Sequence, residues 1–246
     1  MLLILPPSET KRDGGAEGTR LDVGALGFSS LNPQRETASS ALRSLSRSVE
    51  RSTAALKLGT TQRFEIERNR ALLTSPVMPA IDRYTGVIYD ALDANTLSPH
   101  ARAFAGQHLA IGSALFGLLR SHDPIPAYRL SHDSRLPGLG LGKLWRTGVE
   151  SELKHRDGLI VDLRSEAYAQ LGRAPEGSLY LRVLAEGPDG RRTALSHFNK
   201  HAKGEFTRRV LEAGIVHADA ASLLEWARNN QLRLEFGAPG EIDLVV

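Results

Sequence analysis

Apolar positions open the chain as a block: Leu2–Leu5 is a continuous run that Pro6 and Pro7 end, as in a short strand buried on both faces. From Gln34 to Leu58 the spacing becomes helical, with Leu42, Leu45, Val49 and Leu56 on one stripe and Gly59 as a stop. Such a helix would put Arg43, Arg47 and Arg51 on one face. Asp82–Ala91 and Pro99–Gln107 read as short helices, the second opened by Ser98 as N-cap with Pro99 at the first helical position. His108–Ile111 reads as a strand, and the apolar ALFGLLR after Ser113 as a compact helix that SHDPIP ends.

The second half holds more strand. Gly158–Leu163 reads as a buried strand running into polar RSEAY, and Ser178–Ala185 and Arg192–Ser196 flank the turn signal GPDG. Phe198–Gly214 and Ala218–Asn229 read as helices, and Gln231–Phe236 and Glu241–Val246 as strands joined by GAPG. Helices dominate the first half and strands the second, without the alternation of a doubly wound sheet. The pattern predicts a single α+β domain over residues 1–246, with a mixed or antiparallel sheet flanked by helices. No linker separates two cores and no repeat is visible. The long polar, glycine-bearing connection Ser8–Gln34 has the character of a lid or mobile cover.

Composition narrows the function classes. The 246 residues carry 31 Lys+Arg against 28 Asp+Glu, a net charge of +3, so charge position matters more than its sum. With no cysteine, a disulfide scaffold, a thiolate-held zinc or iron–sulfur cluster and a thiol nucleophile are excluded. No apolar run approaches 18 residues and no basic segment precedes the first one, so a cytoplasmic protein without a membrane partner is expected.

Each candidate motif has two readings. Leu136–Leu144, LPGLGLGKL, matches the hairpin of a helix-hairpin-helix element, whose glycines let backbone N–H groups approach a DNA phosphate with Lys143 beside it; it also fits a turn ahead of the helix carrying Trp145. In FNKHAKGEFTRR, Phe198, Ala202, Phe206 and Val210 form a ridge, while Lys200, Lys203 and Thr207 share another face that could hold an anion or simply meet solvent. Ser165, Glu166 and Tyr168 follow a buried strand, where catalytic groups collect, yet Ser165 also fits a helix N-cap with Glu166 in the first turn. H-E-x-x-H is absent and His197–His201 has Asn199 and Lys200 between its histidines, so no metal site is expected. Phosphate-loop and G-x-S-x-G motifs are absent too, and no cofactor is expected.

Six stretches, in order, resemble the YaaA family of bacterial peroxide-stress proteins. They are PPSETK with Lys11, Tyr84-Thr85-Gly86, Ser113–Leu130 (SALFGLLRSHDPIPAYRL), Trp145, DLRSEAY with Ser165 and Tyr168, and NKHAKG with Lys200 and Gly204. Three positions depart from the family pattern: Asp162 where Asn is common, Arg164 where a small residue is, and Lys203 where Arg is, which loses bidentate phosphate geometry. The resemblance implies a family-specific α+β fold with a basic cleft. It also implies binding of double-stranded or branched DNA, and a role in limiting iron-dependent DNA damage under peroxide. Lys11, Arg120, Arg129, Lys143, Lys200 and Lys203 would then contact phosphates, with Trp145 or Tyr128 stacking on a base. The alternative is an enzyme acting on a nucleotide, nucleobase or other anionic small molecule in the same cleft. It would use Asp123 or Glu166 as acid or base and Ser113, Ser165 and Tyr168 as hydroxyl groups. Oligomeric state is not readable from the sequence.

Overall fold

A computed structural model describes residues 1–187, 191–194 and 198–246. The strands are β1 (Leu2–Leu5), β2 (Met78–Pro79), β3 (Leu109–Ser113), β4 (Gly117–Arg120), β5 (Pro124–Ile125), β6 (Ile160–Asp162), β7 (Leu179–Glu186), β8 (Arg192–Ala194), β9 (Arg233–Phe236) and β10 (Glu241–Val245). The helices are α1 (Asn32–Leu45), α2 (Val49–Ala55), α3 (Phe64–Arg70), α4 (Ala80–Arg83), α5 (Val87–Leu92), α6 (Pro99–His108), α7 (Leu141–Lys154), α8 (Glu166–Ala169), α9 (Phe198–Ala213) and α10 (Ala220–Asn229).

One mixed sheet has the order β4-β3-β1-β6-β7-β10-β9, with β8 on β7. Its centre is parallel: β1 pairs with β3 and β6, and β7 with β6 and β10. The antiparallel pairs β3–β4, β9–β10 and β7–β8 add its borders. The expected α+β domain with a mixed sheet is found, but the antiparallel alternative gives way to a parallel centre. The sequence concealed this because β1 and its neighbour β3 are separated by residues 6–108, far more than a one-helix crossover. Leu3, Ile4 and Leu5 are fully buried, as a central strand covered on both faces requires.

Three expected elements change. The helix foreseen from Gln34 to Leu58 is broken between α1 and α2, because serines offer the backbone other bonds. Ser46 Oγ donates to Leu42 O at 2.7 Å, and Ser48 caps α2 by accepting from Arg51 N. Arg47 therefore sits in a turn, not on one helical face with Arg43 and Arg51. Asp82–Ala91 is interrupted at Gly86, whose φ of +93° needs glycine, leaving α4 and α5. The segment ALFGLLR is not a helix: Gly117, at φ +73°, turns the chain into the β3–β4 hairpin. A Cβ there would stand 2.7 Å from the ring of Trp145, whose Nε1 donates to Ala114 O. A short all-apolar run has no period that separates strand from helix.

The remaining expected elements match closely, including Ser98 capping α6 and Asp219 capping α10, whereas α3 and the β2–β5 pair have no counterpart in the sequence reading. The GPDG turn falls largely on residues 188–190, and the strand end Leu195–Ser196 and His197 lie with it outside the described residues. The Phe198 side chain does too. The Ser8–Gln34 connection is not a free cover. Buried Arg83 donates to Arg12 O, Gly14 O, Pro76 O and Ile125 O, and buried Arg35 donates to Gly27 O, Phe116 O, Leu118 O and Asn32 Oδ1. Arg35 thus pins the end of the loop to β4 of the mixed sheet, and Arg83 pins its beginning to β5, which pairs with β2 in a separate two-stranded sheet. Among the described residues no helix is long and apolar enough to cross a membrane.

Candidate functional site

Parallel strands leave their carboxyl ends on one edge of a sheet, and a crevice opens where the winding direction reverses. Here the chain runs from β1 to β3 and β4 on one side, then returns to β6 on the other. Three segments therefore meet at that edge: Pro6–Lys11 after β1, Ser113 at the end of β3, and Leu163–Ser165 after β6.

Lys11 lies at the centre, only 5% exposed. Its Nζ donates to Ser8 O at 3.0 Å and Glu9 O at 3.1 Å, and sits 4.1 Å from the centroid of the Tyr128 ring and 5.3 Å from that of Tyr84. Burial pulls its pKa down to about 7; Glu65 and Glu9 oppose the shift, and the cations of Arg129 and Arg68 reinforce it. Beside it runs a buried hydroxyl chain, with Ser113 Oγ and Tyr84 Oη each 2.7 Å from Tyr128 Oη. Ser113 Oγ also accepts from the backbone N–H groups of Leu115 and Phe116. Burial raises both phenols above the ordinary tyrosine range, so they are neutral donors at physiological pH. Tyr89 Oη donates to Pro6 O, and Thr85 Oγ1 donates to Thr10 Oγ1, tying the Tyr84-Thr85-Gly86 segment to the PPSETK loop.

Among the described residues four arginines are buried, and one differs from the rest. Arg35 and Arg83 each donate four hydrogen bonds to carbonyl oxygens, as described above. Arg164 binds both oxygens of Asp162, at 2.9 and 2.7 Å, and Gly172 O at 2.9 Å. Arg129 has one ion pair, Nη2 to Glu9 Oε2 at 2.7 Å, although its side chain is only 8% exposed. Its Nε is buried without a hydrogen-bond partner among the described residues. Its backbone is held firmly: Asn69 accepts from Arg129 N at 2.8 Å and donates to Arg129 O at 2.9 Å. An unmade bond on a buried guanidinium costs about 1–3 kcal/mol unless water or a ligand supplies the acceptor. Glu9, 58% exposed, is the one acid seated on it among the described residues.

Next to this cluster, Tyr168 is buried, with its ring edge-on to His132 at 5.0 Å, and burial raises its pKa to about 12. Ser165 is the N-cap of α8, accepting from Tyr168 N, and Glu166 opens that helix. Lys203 reaches from α9 to donate to Leu163 O at 2.9 Å, with its Nζ 5.5 Å from the Tyr180 ring centroid. Burial lowers its pKa to about 8 against the pull of Asp162. Gly204 follows it at the α5 contact, where a Cβ would lie 2.3 Å from Ile88 O. The departures Asp162 and Arg164 are bonded to each other, which accounts for their joint appearance. Beyond them, a cavity of about 430 Å³ is lined by Asp162, Glu166, Arg173, Tyr180 and Glu241.

The structure brings Lys11, Tyr128, Arg129 and Ser113 together, with Tyr168, Ser165 and Lys203 adjoining; the other named residues lie elsewhere. Arg120 ends β4, which runs antiparallel, so it stands at the opposite edge of the sheet with its guanidinium 5.4 Å from the Phe28 ring centroid. Asp123 is there too, accepting from Gly27 N and Arg120 N, with its carboxyl pKa raised by burial. Both of its oxygens are used to hold the Gly27 loop. Lys143 is exposed on α7 and Lys200 on α9. Thr207 is fully buried, its hydroxyl donating to Lys203 O, so Lys200, Lys203 and Thr207 do not form one solvated or anion-holding face. The LPGLG segment is a tight turn, Leu136 bridging Leu139, and residues 126–140 contain no helix to pair with α7, which removes the helix-hairpin-helix reading. Glu9, Asn69 and the role of Tyr84 were not readable from spacing, although Glu9 and Tyr84 lie inside the PPSETK and Tyr-Thr-Gly motifs. Among the described residues no group of three or more His, Asp or Glu is placed to hold a metal ion.

Comparison with known proteins adds a family. A family model described as peroxide stress protein YaaA matches residues 1–231. A UPF0246 protein of Corynebacterium glutamicum strain R is 47% identical over 214 residues, covering 85% of this chain and 84% of its own. UPF0246 proteins of Corynebacterium efficiens and Streptomyces coelicolor are 41% and 38% identical, over 100% and 98% of this chain and 100% and 94% of theirs.

Proposed function

Because the chain belongs to the YaaA family of peroxide stress proteins, we propose that it serves that response by binding and acting on an anionic small molecule at the Lys11–Arg129 cluster. The observation that carries this reading is the under-bonded, buried Arg129 beside a lysine of pKa about 7. Arg129 supplies charge and a planar fork for an oxyanion. Lys11 exchanges a proton near neutral pH, and the Tyr84–Tyr128–Ser113 hydroxyl groups can donate to a ligand oxygen. The groups a phosphodiester backbone would need on the surface, Lys11, Arg129 and Lys203, are all buried, which favours a compact ligand over a long polymer here.

The test is thermal unfolding with adenosine monophosphate or inorganic phosphate as probe. Either should raise the melting temperature of the wild type, approaching about 2.7 kcal/mol of stabilisation at a hundredfold excess over Kd. Arg129→Lys should lose that response. A wild type indifferent to both probes and to sodium acetate would sink the proposal.

Binding of double-stranded or branched DNA is a second reading, favoured by a different surface. Arg43, Arg47 and Arg51 are exposed and make no ion pair among the described residues. Arg47 and Arg51 line a surface hollow of about 390 Å³ with Ser44, Ser48 and Pro137. DNA affinity on that surface should fall by roughly 0.9 log unit per log unit of salt for each phosphate neutralised. Arg47→Ala with Arg51→Ala should reduce the slope by nearly two. An affinity indifferent to salt counts against it.

A further inference from the structure

We propose that the Glu9 carboxylate is a displaceable occupant of a two-oxygen anion site on Arg129, and that the ligand enters through a carboxylate or phosphate group that takes its place. This rests on the reading of the Lys11–Arg129 cluster as a ligand site and adds what its ligand must carry.

Nε–H and Nη2–H form the side-on edge of a guanidinium, two parallel donors spaced for two oxygens of one acid group. Glu9 Oε2 stands 2.7 Å from Nη2 as an ion-pair partner without a hydrogen bond to it, and the Nε of that edge is buried and unbonded among the described residues. The other three buried arginines leave no such vacancy, so the deficit belongs to this position and not to buried arginines of this fold in general. A carboxylate or phosphate seated across Nε and Nη2 would supply the two parallel hydrogen bonds that the ion pair with Glu9 does not make.

Glu9 is also placed to leave. Its side chain is 58% exposed, so its carboxylate regains water on rotating away, at little cost. Its backbone stays fixed, because Lys11 Nζ donates to Glu9 O and Ser8 O. Opening therefore needs side-chain rotation and no loop movement. While the pair is closed, the free fraction of Arg129 is reduced, and the apparent affinity for an external anion falls by that fraction.

The experiment follows the Arg129 Nε–H resonance by two-dimensional NMR, assigned by its loss in Arg129→Lys, while sodium phosphate or sodium acetate is titrated at constant pH and ionic strength. Glu9→Gln, an exposed substitution with no packing consequence, should tighten binding of the better anion by about three- to tenfold. It should also move the Nε–H resonance of the unliganded protein. Tighter binding of phosphate than of acetate names a phosphate-bearing ligand; the reverse names a carboxylic acid. Arg129→Lys lacks that resonance, so its binding is read from the melting-temperature shift that each anion produces, and that shift should be lost. If Glu9→Gln leaves affinity within twofold while Arg129→Lys abolishes it, Glu9 is no occupant and the ligand site stands. If Arg129→Lys binds as well as wild type, both fall. If neither anion binds to wild type or Glu9→Gln, the displacement proposal is overturned.

Discussion

Replacing Lys11 by methionine removes the buried ammonium while keeping an unbranched side chain of similar length. Burial holds the Lys11 pKa at about 7, against 10.5 for a free lysine. Below pH 7 the amine is protonated in both the folded and the unfolded chain, so the full penalty of the buried charge is present. Between about pH 7 and 10.5 the folded chain has released a proton that the unfolded chain still binds, and stability rises with pH. At about 1.4 kcal/mol per pH unit, the whole difference is at most about 5 kcal/mol. The part realised between pH 7.5 and 9.5 is about 2.5 kcal/mol. Lys11→Met has no proton to release, while Lys203 and every other group titrates alike in both proteins and cancels. Urea unfolding of the two proteins at several pH values across that interval should show wild type gaining about 2.5 kcal/mol on the variant. The lost bonds to Ser8 O and Glu9 O shift the two curves by a constant and do not change their divergence. Parallel curves would refute the assignment of Lys11 as a proton-exchanging group near neutral pH, and with it the acid–base part of the proposed function.

Two further outcomes test the frame around the site. Gly204→Ala should destabilise by about 1–3 kcal/mol in urea unfolding, because the Cβ meets Ile88 O at 2.3 Å and Ala91 Cβ at 2.7 Å across the α5–α9 contact. Gly142→Ala on α7, with nothing within 4 Å, should instead stabilise by up to about 1 kcal/mol; equal effects at the two glycines would contradict the close packing. Asp123→Ala leaves the part-buried N–H groups of Gly27 and Arg120 without their acceptor and should cost about 1–3 kcal/mol. A stability change under about 0.5 kcal/mol would return Asp123 to the list of catalytic candidates.

What the sequence determined by itself was whatever local pattern controls: the buried block Leu2–Leu5, the capped α6, the closing hairpin β9–β10, and the family whose motifs run through the chain. It also brought Lys11, Ser113, Tyr128 and Arg129 into consideration, as members of motifs remote from one another. Tertiary structure decided the rest, because the quantities that define the site are not local. Parallel pairing of β1 with β3 across residues 6–108 leaves no periodic trace, yet it is what carries Pro6–Lys11 and Ser113 to one edge. The same topology sends Arg120 and Asp123 to the other edge, although they lie within ten residues of Arg129, because β4 runs against its neighbour. Burial decides the chemistry. Lys11 and Lys200 are alike as letters, but one amine is shielded from water and titrates near neutrality while the other is solvated. Hydrogen-bond saturation, which separates Arg129 from Arg35, Arg83 and Arg164, depends on which carbonyl groups the folded chain happens to bring within 3 Å, and no pattern of residues along the chain encodes it.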